Sequence, residues 1–238
     1  MKSMLRFFHT MLGDESFFMI DAILNSYYIQ CLPFLFQGLV WTLIITIGGL
    51  ILGFILGALV GMGRLSKNRI IRAICMVYVE IVRGTPILAQ VLFIYFGLTE
   101  EVIGINIDKI IASIIAISFN AGAYIAEIVR GAIKSIEKGQ HEAGRSIGLS
   151  QRQTMRYIIW PQAFKRMIPP LGNQFIISLK DTSLFSVIAV GELLYMGQQY
   201  YNLNFATFQT LIMVCVLYLC ITIPTSLYLR RLERRLDV

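Results

Sequence analysis

Residues 34–62 read FLFQGLVWTLIITIGGLILGFILGALVGM, 29 positions without a single Asp, Glu, Lys or Arg. A helix needs about 20 apolar residues to cross a hydrocarbon core of about 30 Å. This stretch therefore spans a membrane, and its surplus length is absorbed by tilt or by an entry along the outer interface. Arg64, Lys67, Arg69 and Arg72 follow it at once. Ahead of it, Phe17 to Cys31 carries apolar residues at roughly helical spacing with Tyr27 and Tyr28, the pattern of a segment lying in the interface. Inside the run, Gly49, Gly53, Gly57 and Gly61 recur every fourth residue and form a smooth stripe on one helix face. Small residues in that register let two helix backbones approach closely. The stripe predicts a packing seam, with the partner helix in this chain or another.

Four more apolar runs follow. Ala73 to Gly97 is interrupted only by Glu80, Arg83 and Gln90; Ile110 to Val129 comes next; a run beginning near Pro169 and Pro170 carries Lys180 and Asp181 and fades near Tyr200; Phe205 to Leu229 ends in Arg230, Arg231, Arg234 and Arg235. The expectation is an all-α integral membrane protein with five transmembrane helices. Residues 1–33 would form an external or interfacial segment, and 34–238 a five-helix domain with a cytoplasmic projection at 134–166. Lys and Arg are retained on the cytoplasmic side of short loops. Segments 64–72, 131–168 and 230–235 hold 15 of the 21, whereas 98–109 holds only Lys109 and 191–204 holds none. This predicts an external N-terminus and a cytoplasmic C-terminus.

Composition agrees. Residues of the AVILMFWYC set make up 56% of the 238, DEKR only 15%, and the mean hydropathy is +0.68, which excludes disorder, a collagen-like fibre and a disulfide-stapled secreted module. The formal charge of +7 lies between apolar runs rather than on one solvated face, so no nucleic-acid partner is expected. Cys31, Cys75, Cys215 and Cys220 lie in or beside apolar stretches without metal-ligand spacing and read as packing residues; no metal and no cofactor are expected. Met1 to Gly13 lacks the apolar core and small-residue cleavage site of a signal peptide.

The polar stretch from Lys134 to Arg166 is too long for a tight turn and too patterned for a linker. Gly148 is placed to stop a helix, and Ser150 to cap a second short one over Gln151–Ile159 that ends before Pro161. Two short helices with a kink either dock in a groove on a soluble partner or rest on lipid headgroups.

Here Glu142-Ala143-Gly144, then Gly148, then Ile159-Trp160-Pro161 resemble the EAA signature of permease subunits of bacterial ABC importers, with Gly144 in place of the second Ala and Trp160 in place of Leu. Val82-Arg83-Gly84-Thr85-Pro86, the stretch Ala123 to Gly131, Pro169 to Gln174 and Lys180-Asp181-Thr182-Ser183 are similar to the polar amino acid branch, the histidine, glutamine and arginine permeases. The resemblance covers about residues 30–235. It implies a MetI-like ABC permease fold in a bacterial inner membrane, two permease subunits forming a homo- or heterodimer, two cytoplasmic ATPase subunits, an external solute-binding protein and an amino acid substrate. It also implies that the ATPase grips the projecting segment, with Glu142 holding it through charge, Ala143 and Gly144 through close approach, Gly148 allowing the bend, and Pro161 closing the motif.

The residues suit that role. The chain has no GxxxxGK[ST] loop, in keeping with what the resemblance implies: ATP hydrolysis is expected on a partner chain, and this one is expected to be a transport subunit and not an enzyme. Ionisable residues within a span are costly and usually face the bundle interior. Glu80 and Arg83 share a face continued by Gln90; Gln174, Ser178 and Asp181 form a similar stripe. A pocket offering Glu80 or Asp181 to an ammonium and Arg83 or Lys180 to a carboxylate would hold a free amino acid. Alternatively Glu80 and Arg83 only neutralise each other. Lys180 and Asp181 are about 100° apart on a helix and cannot point the same way. Asn120, Tyr124 and Glu127 share a face, with Glu127 and Arg130 read as anchors for the projection. An intramembrane hydrolase is disfavoured, because His9 and His141 lie outside the spans without a paired nucleophile. An ATP-independent channel for small polar solutes stays open, since a polar stripe also suits a pore.

Overall fold

The computed structural model describes residues 26–98, 102, 104 and 106–236, and every regular element among them is helical. After the single turn Tyr27–Gln30 come α1 (Leu32–Gly63), α2 (Arg69–Gly84), α3 (Ile87–Leu92) with a π turn at Phe93–Gly97, α4 (Lys109–Ser135), α5 (Lys138–Ser146), α6 (Gln151–Thr154), a second π turn at Met155–Ile159, α7 (Trp160–Asp181), a 3₁₀ stretch Thr182–Ile188, α8 (Leu193–Asn204) and α9 (Thr207–Leu236). Most of the proposed interfacial stretch lies outside the described residues. Tyr27–Gly63, Lys109–Ser135 and Thr207–Leu236 are each long and apolar enough to cross a membrane, and the bent pair Arg69–Gly84 with Ile87–Gly97 brings the number to as many as four. The protein is therefore an all-helical membrane protein. By length and composition α7 is not among these spans, since Lys165, Arg166, Asn173, Gln174, Lys180 and Asp181 dilute its apolar residues.

The glycine stripe packs inside the chain. A Cβ added at Gly57 would stand 2.6 Å from the Gly122 carbonyl oxygen, and one at Gly61 2.8 Å from that of Ala126, so α1 lies directly on the backbone of α4. The face of α4 opposite is itself small, with Ala121, Gly122 and Ala126 buried. Without a hydrophobic force between helices in lipid, such close van der Waals contact is what holds two spans together. The other faces of α1 expose Ile44, Ile47, Ile51, Ile55 and Leu59, as a lipid-facing helix must. Around α4, the most buried span, α1, α2, α3 and α7 gather. A second cluster joins Leu35, Leu193, Tyr200, Val214 and Leu217 where α8 and α9 meet the start of α1.

Three expectations need correction. The run Ala73 to Gly97 is not one straight span: it bends by 104° between α2 and α3. Pro86 drives the residue before it out of the helical region, and Thr85 is extended at φ −121°, ψ 143°. The helix that carries the fourth run starts not at Pro169 and Pro170 but at Trp160, so both prolines lie inside α7. Nor does the second projecting helix end before Pro161. The chain stays helical from Gln151 to Asp181, with a wider π turn at Met155–Ile159 ahead of Pro161, where the Trp160 N–H donates to the Met155 carbonyl.

Candidate functional site

Breaking a helix within a membrane leaves carbonyls that lipid cannot satisfy, so broken spans persist only where protein or a wet cavity supplies partners. Here Gln90 does so. Its Nε2 donates to the carbonyls of Val82 (2.8 Å) and Thr85 (3.1 Å) and to Thr85 Oγ1 (2.9 Å), while its Oε1 accepts from Asn120 Nδ2 at 3.1 Å. One side chain thus caps the end of α2 and ties the bend to α4. The expected continuation of the Glu80–Arg83 stripe through Gln90 does not occur, because the bend turns Gln90 back under α2.

The bend opens a cavity of about 450 Å³, within the roughly 300–1,000 Å³ of small-molecule sites. Arg83, Thr85 and Pro86 line it from α2 and the bend, Asn120 and Tyr124 from α4, and Gln174, Ile177 and Asp181 from α7. Of the sequence candidates it thus brings Arg83, Gln174 and Asp181 together. The wall holds one guanidinium, one carboxyl group and two amides, a donor and acceptor set complementary to a small zwitterion. Ser178 lies behind it, buried, accepting from Gln174 Nε2 at 3.2 Å. Glu80 is exposed and does not line the cavity, and no Glu80–Arg83 ion pair forms among the described residues. Lys180 is exposed, its helix having turned Asp181 inward instead.

Arg83 lies 5.3 Å over the ring of Tyr124 and 4.0 Å from Glu127 Oε1. Glu127 is also paired with Arg64, and its Oε2 accepts from Arg130 Nε (3.0 Å) and Nη2 (2.6 Å). These groups do not anchor the projection. Arg166 does, donating to the Ser135 carbonyl and, at 2.9 Å, to Ser135 Oγ, together with Gln162 Nε2 donating to Gln140 Oε1 at 3.1 Å.

The projection folds as a tight hairpin. Gly148 sits at φ 87°, a left-handed turn that lets its N–H reach the Arg145 carbonyl and that of Leu149 the Gly144 carbonyl. Ser150 and Gln153 form a reciprocal capping box at the start of α6. Glu142 and Ala143 are exposed, beside Ile147 at 73% exposure. Gly144 is not: its close approach is to the other arm, where an added Cβ would stand 2.6 Å from Thr154 Cγ2.

Sequence reasoning missed the Thr85–Pro86 break and Glu192. The first was signalled by the X-Pro step. Glu192 is wholly buried, accepting from the N–H groups of Leu194 (2.9 Å) and Tyr195 (2.6 Å) and from Tyr218 Oη at 3.3 Å, so it caps α8 against α9.

Comparison with known proteins agrees with this architecture. Residues 49–238 match the family model described as binding-protein-dependent transport system inner membrane component. The glutamine transport system permease protein GlnP of Escherichia coli (strain K12) is 48% identical over 207 residues, covering 87% of this chain and 94% of that protein. A crystal structure of an amino acid ABC transporter with histidines contains a chain that aligns at TM-score 0.82 and 35% identity, over 87% of this chain and 96% of that one. The MetNI methionine ABC transporter in inward-facing conformations shares the fold at TM-score 0.68 and 22% identity, over 84% and 96%. This protein accordingly belongs to the inner membrane components of binding-protein-dependent transport systems, as an ABC importer permease subunit that is not itself an enzyme.

Proposed function

We propose that this permease imports polar amino acids, L-glutamine first among them, through the cavity at the α2–α3 bend. One observation carries the proposal: Arg83 and Asp181 stand on different helices and line one cavity together with the amides of Asn120 and Gln174. An amino acid's carboxylate belongs on Arg83 and its ammonium on Asp181, with the amides left for the side chain. The 48% identity to a glutamine permease supports the substrate class.

The chain crosses the inner membrane five times, α7 with its 3₁₀ extension making the fourth crossing. Polar residues that disqualify α7 as a lipid-facing helix suit one that lines a pathway. The distribution of Lys and Arg places the N-terminus outside and the C-terminus in the cytoplasm. Two copies of this chain, or this chain and a related one, assemble with two ATPase subunits and an external solute-binding protein. The exposed edge of Glu142, Ala143 and Ile147 is the face offered to the ATPase, while Gly144 and Gly148 shape the hairpin behind it. From Ser150 onward the hairpin's second arm is continuous with α7, so motion at the ATPase reaches Gln174 and Asp181 through one helical rod.

Reconstitution tests this. Proteoliposomes holding permease, ATPase and binding protein should accumulate radiolabelled L-glutamine only with ATP, and Glu142→Lys should abolish uptake while the ATPase loses its grip on the permease. Uptake without ATP, or normal uptake and assembly in Glu142→Lys, would overturn the coupling.

A further inference from the structure

The electrostatics around Arg83 are lopsided. Three guanidiniums, from Arg64 on the α1–α2 connection, Arg83 on α2 and Arg130 on α4, surround the single carboxylate of Glu127. The three are not held equally. Arg130 chelates Oε2 at 2.6 and 3.0 Å and Arg64 is paired with Oε1, but Arg83 stays 4.0 Å away, beyond hydrogen-bond reach. The loosely held arginine is the one whose guanidinium also rests over Tyr124 and lines the cavity. A second carboxylate approaching from the cavity meets a cation only partly neutralised from behind.

We propose that Glu127 is a built-in rival of the substrate's carboxylate and sets the affinity of the cavity by competing for Arg83. In the empty site Glu127 restrains Arg83 through the longer contact. An entering amino acid draws the guanidinium onto its own carboxylate, and Glu127 stays on Arg64 and Arg130. Those two arginines matter as much as Glu127: by holding the carboxylate back, they stop it closing on Arg83 and shutting the site. Glu127 is a positioning residue, since it does not line the cavity.

The inference rests on the amino acid reading of the cavity, and one binding experiment separates the two. The permease–ATPase complex in nucleotide-free nanodiscs, without binding protein, is titrated with radiolabelled L-glutamine. Arg83→Gln should abolish binding. Glu127→Gln should tighten Kd by about two- to fivefold, the range expected for a partly exposed ion pair, and Glu127→Asp, whose shorter arm keeps the charge but withdraws it from Arg83, should tighten it less. Arg130→Gln should weaken Kd by a similar factor, because the freed carboxylate moves onto Arg83. A residue that merely holds the fold would give losses at both positions, so opposite signs are the signature. Unchanged Kd in Glu127→Gln and Arg130→Gln, or weaker binding in both, would overturn the rivalry while Arg83→Gln still upholds the cavity. Wild-type binding in Arg83→Gln, or no L-glutamine retained by the wild-type complex, would overturn the cavity reading and the rivalry with it. Should Glu127→Gln fail to assemble, Glu127→Asp and Arg130→Gln decide the matter on the same criterion.

Discussion

The α1–α4 seam and the α2–α3 bend both involve α4, yet they solve the membrane's constraints in opposite ways. At the seam, two unbroken helices keep the hydrogen bonds of their interiors within each helix and glycine removes the side chains between them. At the bend, a helix is interrupted, and its freed carbonyls are satisfied by one amide side chain, with polar groups from two other helices facing the gap. The first arrangement has no room for a ligand and no reason to move. The second gathers polar side chains around a cavity. A transporter needs both: a fixed surface to move against, and a place where the pathway is wet.

Substitutions separate the two regions. Gly57→Leu should have the largest effect, since even a Cβ meets the Gly122 carbonyl at 2.6 Å; overpacking of about 1–3 kcal/mol or more should strip most folded permease from the membrane. Gly131→Ala, with open space around it, should leave the yield in detergent unchanged. Asp181→Asn should spare thermal stability but reduce L-glutamine uptake by about tenfold or more, as loss of a charged hydrogen bond worth about 1.5–3 kcal/mol predicts; unchanged uptake kinetics would remove Asp181 from the pocket. Gln90→Leu strands the carbonyls of Val82 and Thr85, so it should destabilise the bend by about 1–3 kcal/mol, seen as faster hydrogen exchange confined to 82–92. Among the variants expected to show a loss, the mildest is Gly144→Ala, which presses on Thr154 across the hairpin. It should lower binding-protein-stimulated ATPase activity by a few-fold, about 1 kcal/mol in coupling, and Thr154→Ala should restore it by vacating the space.

The seam was legible in outline because a period of four within one helix is written locally; its partner was not, because Gly122 and Ala126 lie more than sixty residues away among other small residues. The bend was harder. Its apolar residues resume directly after the short break Arg83-Gly84-Thr85-Pro86, so composition averaged over a span-length window reads one span where the backbone makes two helices. Arg83, Gln174 and Asp181 stood out as costly charges and amides in apolar runs, and the fold brings them to one wall. Glu80 had the same sequence credentials but sits one turn further back on α2, exposed away from the cavity. Glu192 was overlooked because a carboxylate beside a supposed loop looks solvated, and only the packing of α8 against α9 encloses it. At Pro161 a proline rule that usually ends helices was overridden by a π turn.

That override has a mechanical consequence. From Gln151 to Asp181 the helical path measures roughly 45 Å at about 1.5 Å per residue. Pivoting about one end, such a beam turns an angular change of about 5° into a displacement of about 4 Å at the other. On the proposed coupling, a small rotation at the hairpin becomes a larger displacement near Asp181, and the stiffness between Met155 and Pro161 decides how much of it is transmitted.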